Sequence, residues 1–244
     1  MFNMGQNVNR DDIGFPVLPM PYSDEGFAVL AAVPVGCDFT ANADFYVVNG
    51  LHGGPDGIDF FTSRDYVDNN AEPAAGGRLT IANRWLVIGG SVMGGQFNDH
   101  SGAGPLDREL DYSIVGADIG VHLDDRLRVQ FEYALRSSDR IVALPGKFVS
   151  GEEVSGFSVL GELRVCSSPR VGLVARYDTL SRNGDLPPLG SSLTKGEFTV
   201  QQFTWGCAVT LPGGSLLLFD HEHWFMPHEL DDVDVFGLRW VVTF

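Results

Sequence analysis

The chain lacks any run of about 18 apolar residues, which excludes a transmembrane helix. Its first residues, MFNMGQNVNRDDIGFPVL, contain neither a basic segment nor an apolar core, so no signal peptide is recognisable. Lysine is nearly absent, because only Lys147 and Lys195 stand beside 14 arginines. The net charge of −16 argues against nucleic acid as a partner.

Motifs for metals, cofactors and catalysis are missing as well. The three cysteines, Cys37, Cys166 and Cys207, are far apart and show no CxxC or Cys/His spacing. No GxSxG, P-loop or HExxH pattern occurs. Adjacent carboxylates such as Glu152 and Glu153 lie in segments that we interpret as solvated loops. The sequence therefore predicts no cofactor and no enzymatic activity.

What the chain has instead is alternation of apolar and polar residues. In RLRVQFEYALR (126–136), Val129, Phe131 and Tyr133 share one face under a period of two, and Arg128 and Glu132 share the other. Similar stretches recur along the chain, and helical periodicity is almost absent. We count eleven such segments, near 26–36, 42–50, 77–83, 85–97, 112–123, 126–137, 156–166, 170–180, 198–210, 214–225 and 233–244.

The connections between these segments alternate in length. Short turns are predicted at 36–42, 84, 124–125, 167–169 and 211–214, and long connections at 51–76, 98–111, 138–155, 181–197 and 226–232. A soluble β-sandwich gives the same residue alternation with its apolar face turned inward. Long loops at one end only, together with strands of about 10 residues, favour a membrane barrel.

The last residues, GLRWVVTF, form an alternating aromatic strand that ends on Phe244. This strand, with YVVNGL (46–51), GGRLTIANRWLVIGGSVMGGQF (76–97) and YSIVGADIGVHLDDRLRVQFEYA (112–134), resembles bacterial outer-membrane β-barrels of the porin-like group that includes phosphate-selective porins. The resemblance implies an all-β, antiparallel, up-and-down transmembrane barrel that passes small hydrophilic solutes across the outer membrane. It also implies the lipid bilayer, lipopolysaccharide and the barrel-assembly machinery as partners, and a homotrimer as the assembly.

The resemblance leads to an expectation for the domain organisation. Residues 1–25 are predicted as an extended N-terminal segment and residues 26–244 as a single barrel domain. Eleven or twelve strands are fewer than a barrel of about 16 strands contains, and bacterial barrels have an even strand number. We therefore expect the chain to be the C-terminal portion of a larger barrel whose signal peptide belongs to a missing N-terminal part.

The polar faces of the strands supply the candidate functional residues. They would line the lumen, where arginine favours small anions through bidentate contacts, unless arginine and carboxylate groups on neighbouring strands merely neutralise each other. The predicted lumen residues are Arg128, Gln130, Glu132, Arg136, Glu162, Arg164, Arg176, Asp178 and Arg239. The predicted membrane-interface and assembly-signal residues are Leu238, Trp240, Val242 and Phe244.

One histidine pair requires a separate interpretation. His221 and His223 share a strand face at a spacing that can chelate a transition metal. Polar rings at an interfacial strand end explain the pair equally well, and we predict no metal site. For the whole chain, two other functions stay open: a soluble sandwich or jelly roll that binds a glycan or protein, and a plugged barrel that acts as an anchor or adhesin.

Overall fold

A computed structural model describes residues 17, 24–53, 58, 72–97, 110–124, 126–144, 147–167, 170–184, 198–211, 214–227 and 231–242, with backbone alone at 140–144, 147–150, 167 and 198. Within these ranges the chain forms eleven strands and no helix. The strands are β1 (Gly26–Val35), β2 (Phe39–Val48), β3 (Ala74–Ala82), β4 (Leu86–Gln96), β5 (Asp111–Leu123), β6 (Leu127–Leu144), β7 (Lys147–Ser167), β8 (Arg170–Gly184), β9 (Phe198–Thr210), β10 (Leu216–Phe225) and β11 (Val233–Val241).

All the strands belong to one antiparallel sheet. Each strand pairs with the next in sequence, so the order in space is β1 to β11 without a crossover. The sheet is open, with β1 and β11 at its two edges. The prediction of an all-β, antiparallel, up-and-down fold is therefore confirmed.

The sheet has a turn end and a loop end. At the turn end, short connections join β1 to β2, β3 to β4, β5 to β6, β7 to β8 and β9 to β10. The turn between β3 and β4 is closed by Asn83, whose side-chain oxygen accepts hydrogen bonds from the backbone N–H groups of Trp85 and Leu86, both at 2.8 Å. In the β5–β6 turn, Asp124 adopts a φ of 49°, which Asp tolerates better than most residues. The other connections lie at the loop end.

The strand register separates the side chains into two faces. Phe131 of β6 is opposite Ile119 of β5 and Val159 of β7, and we call this side the apolar face. Glu132 is opposite Asp118 and Ser158, and we call that side the charged face. Directly opposed residues lie on the same side of a pleated sheet, so each face is continuous across the strands.

The connection predicted at 138–155 is a continuation of two strands. β6 extends to Leu144 and β7 begins at Lys147, and their pairing continues through Ser137–Glu153 to Ile141–Val149. The loop prediction for this segment was therefore wrong. The segment is rich in glycine, serine and charged residues, a composition typical of loops. Backbone pairing nevertheless holds it in β conformation.

We predict that Gly206→Val destabilises the β9–β10 pair. A Cβ at Gly206 would meet the backbone oxygen of Phe219 and lie 3.2 Å from the Cα of Asp220, so the backbone would have to move. Such overpacking costs about 1–3 kcal/mol. Urea titration of refolded protein should show the lower unfolding midpoint.

The matched control is Gly161→Val on β7. The nearest atom to a Cβ at Gly161 is the backbone oxygen of Ala175 at 3.9 Å, which is ordinary contact. This variant should unfold close to the original midpoint. Equal loss of stability in both variants would contradict the role of close strand approach at Gly206.

Candidate functional site: the charged face of the sheet

The structure places the nine predicted lumen residues on the charged face. Arg128 is opposite Glu162, and Ser158 connects Glu132 to Asp178 in one row across three strands. The register of the remaining residues continues the same face from β6 to β11. The nine residues are Arg128, Gln130, Glu132, Arg136, Glu162, Arg164, Arg176, Asp178 and Arg239.

The loop-end half of the charged face is covered. Its apolar side chains form one buried cluster with residues from the connections and from the segment before β1. Leu51, Phe97 and Leu110 come from two loop-end connections, and Val17 precedes β1; all four are at most 1% exposed. The strand members of the cluster are Ala74, Met93, Tyr112, Ile114, Val154, Leu180, Val200 and Trp224.

An arginine–glutamate–arginine group lies buried beside this cluster. Arg136 donates a hydrogen bond to Glu152 Oε1 at 2.8 Å, and Arg182 donates to Glu152 Oε2 at 3.0 Å. The side chains of both arginines are 1% exposed. A buried charge is tolerated only when it is paired and hydrogen-bonded, so the central carboxylate holds both guanidinium groups in place. Three neighbouring strands, β6, β7 and β8, are cross-linked by this group.

Sequence reasoning found only one member of this group. Arg136 is among the predicted lumen residues, whereas Glu152 and Arg182 fell in segments interpreted as loops. The sequence does indicate that these residues belong to strands, because the alternation continues beyond the apolar residues in VSGEEVSGF (149–157) and RYDTLSRNG (176–184). Which arginines pair with Glu152 depends on the register between strands, and local alternation does not determine that register.

The turn-end half of the charged face is more open, and its charges are mostly paired. Arg128 lies 3.6 Å from Glu162, and both side chains are more than 40% exposed. Arg176 contacts Asp178 at 2.9 Å, although Asp178 itself is buried.

Two more ion pairs lie in this half, one between β10 and β11 and one between β3 and β5. Arg239 lies 3.4 Å from Asp220, and Arg78 donates to Asp118 at 2.6 Å. Opposite charges therefore compensate each other over most of this half. Such pairing corresponds to mutual neutralisation, the alternative to an arginine-rich lumen.

An excess of arginine is present at the extreme turn end. Four arginines, Arg126, Arg128, Arg164 and Arg170, line one cavity of about 640 Å³ together with two carboxylates, Asp124 and Glu162. The Arg164 backbone N–H donates to the Arg126 carbonyl at 2.8 Å, which brings two of these residues side by side. Arg126 and Arg170 were not among the predicted lumen residues, although they are the first residues of the predicted segments 126–137 and 170–180.

The C-terminal strand exposes its aromatic face. Leu238 and Trp240 lie on the apolar face, opposite Phe219 and Leu217 of β10. Their exposed fractions are 72% and 69%. Val242 follows the strand and is also exposed, whereas Phe244 lies outside the described residues.

The histidine pair belongs to the apolar face near the loop end. Trp205 donates its indole N–H to His221 Nδ1 at 2.9 Å, so His221 Nε2 is the protonated nitrogen that faces Asp234 Oδ1 at 2.8 Å. His223 Nδ1 lies 2.9 Å from the same oxygen. Both imidazole rings therefore contact the same carboxylate, that of Asp234. Across the described ranges, no group of three or more His, Cys, Asp or Glu side chains is arranged to hold a metal ion.

Comparisons with protein families, with characterised proteins and with solved structures returned no significant match. The porin-like resemblance of the terminal strand therefore stays a prediction. None of the residues that the structure describes belongs to a helix of the length and hydropathy needed to cross a bilayer.

We predict that Glu152→Gln destabilises the protein strongly. The substitution keeps the shape of the side chain but leaves the buried Arg136 and Arg182 without their shared carboxylate. Removal of one partner from a buried ion pair costs about 3–5 kcal/mol. Denaturant unfolding followed by circular dichroism measures this loss.

The control is Glu162→Gln, at the half-exposed pair with Arg128. Water screens this pair, so the free energy of unfolding should change by less than about 1 kcal/mol. If Glu152→Gln were as mild as Glu162→Gln, the buried group would not be the cross-link between β6, β7 and β8.

Proposed function

We propose that this sheet is the wall of an outer-membrane β-barrel and that the barrel is a narrow porin-like channel for small hydrophilic solutes. One observation carries the proposal: the apolar face is exposed along its length, whereas the loop-end half of the charged face is covered. Val129, Phe131 and Tyr133 are each 37–38% exposed, and Arg136 on the opposite side is 1% exposed. The distribution is the reverse of that in a soluble protein.

The exposed apolar surface is too extensive for a monomer in water. Soluble monomers expose apolar patches of about 300–600 Å², whereas here exposed large apolar side chains occur on every strand. A β-sandwich would cover this face with a second sheet. All eleven strands described here belong to one sheet, and none lies over the apolar face. Such a surface is stable against the hydrocarbon chains of a bilayer.

The dimensions of the apolar face also support a membrane location. In β6 the apolar stripe runs from Leu127 to Leu135, which is about 27 Å at ~3.4 Å per residue, before strand tilt. The apolar band of outer-membrane barrels is about 25 Å tall. Beyond this stripe the same face becomes polar, as the contact between Ser181 and Thr199 and the histidine–Asp234 cluster show.

Aromatic side chains contact one another across this face. Phe157 stacks between Phe131 and Tyr177, with ring centroids 6.2 and 5.9 Å away. Trp205 packs against Phe219 at 5.7 Å on the neighbouring strands. Phe131 is the middle residue of the Leu127–Leu135 stripe, so its ring contacts lie within the apolar band.

A membrane location requires that the sheet be closed. Unpaired N–H and C=O groups at an edge cost several kcal/mol each in hydrocarbon. Since β1 and β11 run in the same direction, an antiparallel barrel takes an odd number of further strands between them. We propose closure of this kind, in a barrel larger than eleven strands, with β11 as the strand read by the assembly machinery.

The charges of the charged face bear on the solute. Most arginines in the turn-end half are paired with carboxylates, and the excess lies at the extreme turn end around Arg126 and Arg170. We propose passage of small anions and zwitterions with a moderate preference over cations. Lipopolysaccharide contacts and a homotrimer follow from the same proposal.

The buried cluster at the loop end favours one second candidate, a plugged barrel that serves as an anchor. Leu51, Phe97 and Leu110 fill the loop-end half of the charged face. If that filling is permanent, no solute passes. Ion conductance separates the two functions.

We predict that Phe131→Arg impairs insertion into lipid vesicles. A charge on the lipid side of a barrel costs about 2–4 kcal/mol near the bilayer midplane. The folded fraction can be measured by the different gel migration of unheated samples and by protease protection.

The neighbouring substitution Gln130→Arg is the control for this test. Gln130 lies on the charged face and contacts Arg128 and Glu132, so the new guanidinium has a carboxylate within reach. Insertion should stay close to normal. A larger loss with Gln130→Arg than with Phe131→Arg would refute the proposed orientation of the sheet.

We predict small conductance steps in planar bilayers, with reversal potentials in a KCl gradient that indicate anion preference. The double variant Arg126→Gln/Arg170→Gln should lower the ratio of chloride to potassium permeability by at least about twofold, because neither arginine forms an ion pair within the part of the chain that the structure describes and their positive charge is lost from the turn end. Arg84→Gln, a turn arginine stacked on Trp85 at 3.9 Å, should leave the ratio unchanged. Inserted protein without conductance would support the plugged barrel.

A further inference from the structure

The turn-end cavity has two chemically different walls. One wall is basic and is formed by arginines from the ends of β6 and β7 and from the start of β8. The other is apolar and is formed by Val174 of β8 and by Leu216 and Leu218 of β10. At about 640 Å³ the cavity lies within the range of ligand sites, about 300–1,000 Å³.

The apolar wall is an exception to the pattern of the charged face. Leu218 is opposite Arg239 of β11 and Ala208 of β9, so it lies on the charged face, and Leu216 follows on the same side. Leu217 and Phe219 fill the apolar face, which makes the turn-end part of β10 apolar on both sides. A water-filled lumen does not explain why leucines replace polar residues on this part of the charged face. A ligand with an apolar body does.

The basic wall carries positive charge that is only partly compensated. Four arginines line the cavity against two carboxylates, Asp124 and Glu162. Arg128 contacts Glu162 at 3.6 Å, and the guanidinium groups of Arg126 and Arg170 form no ion pair with the part of the chain that the structure describes. In a protein of net charge −16, such a concentration of arginine is a local departure. Guanidinium groups bind carboxylates and other oxyanions through paired N–H donors.

Space between the two walls is kept open by Gly172. This residue is opposite Arg164 on β7 and Ala208 on β9, so it lies on the charged face between the basic and apolar sides. A Cβ there would meet only the backbone oxygen of Leu163, at 4.0 Å. Strand packing therefore does not require glycine at this position, whereas a molecule bound between the two walls would.

We propose that this cavity binds an amphiphilic organic anion, a molecule with one carboxylate or similar oxyanion and a compact apolar body of about six carbons. The anionic group contacts Arg126 and Arg170, and the apolar body lies against Val174, Leu216 and Leu218. The proposal requires the cavity but not transport, so it can fail or succeed independently of channel activity.

The experiment is binding of hexanoate to the full chain, folded in a non-ionic detergent and measured by saturation-transfer NMR. Three further probes separate the contributions of charge and tail. Hexanol has the tail without the charge, hexylammonium has the opposite charge, and acetate has the charge without the tail. Hexanoate should bind at least about tenfold more tightly than each of the other three.

Two variants test the basic wall and the space between the two walls. Arg126→Gln/Arg170→Gln should weaken hexanoate binding about tenfold and leave hexanol unchanged. Gly172→Phe should abolish hexanoate binding because the ring occupies the cavity. Gly161→Phe, on the apolar face of β7, and Arg84→Gln are the matched controls and should bind hexanoate normally.

Equal binding of hexanoate and hexanol would overturn the proposal, since it would show detergent-like partitioning. Normal hexanoate binding by folded Gly172→Phe would overturn it as well, because the site would then lie elsewhere. Circular dichroism of each variant establishes that it is folded. Conductance of the wild-type chain is measured separately, so a plugged barrel that binds hexanoate disproves the channel and leaves this site intact.

Discussion

The backbone hydrogen bonds between neighbouring strands determine which side chains share a face, and the rest of the structure depends on them. Because the side-chain period is two, a shift of one residue in a single strand would move its arginines to the apolar face. The register from β5 to β8 instead aligns Asp118, Glu132, Ser158 and Asp178 in one row. Charge pairing across strands and the continuous apolar face are two consequences of the same alignment.

Strand number, and the phase of most strands, were predictable from the sequence because alternation is a local property; the phase of β10 was not, since apolar residues occupy both of its faces at the turn end. In β6, five apolar residues alternate with charged and polar ones, and the sheet reproduces this division. The extension of β6 and β7 was not predictable, since beyond the apolar band both faces of a strand are polar and the pattern resembles that of a loop. Closure and membrane insertion concern the surroundings of the sheet, which alternation does not determine.

The candidate site was predictable residue by residue but not as an arrangement. Each of Arg128, Glu162 and Arg176 was identified from its own strand. The buried contacts of Glu152 with Arg136 and Arg182 depend on long-range register and on connections that cover the loop end. The turn-end cavity likewise combines β6, β7, β8 and β10, so its mixture of basic and apolar walls appears only when the strands are aligned.

The two halves of the charged face make different physical demands on a solute. At the loop end, the apolar cluster and the Glu152 group are buried, so passage there would require the connections that carry Leu51, Phe97 and Leu110 to move. At the turn end the charged side chains are already exposed to water. Movement at the loop end would take apolar side chains out of a packed cluster, at about 25 cal/mol per Å² of surface exposed. In the proposed channel, control of passage would therefore belong to the loop end, and recognition of charge would belong to the turn end.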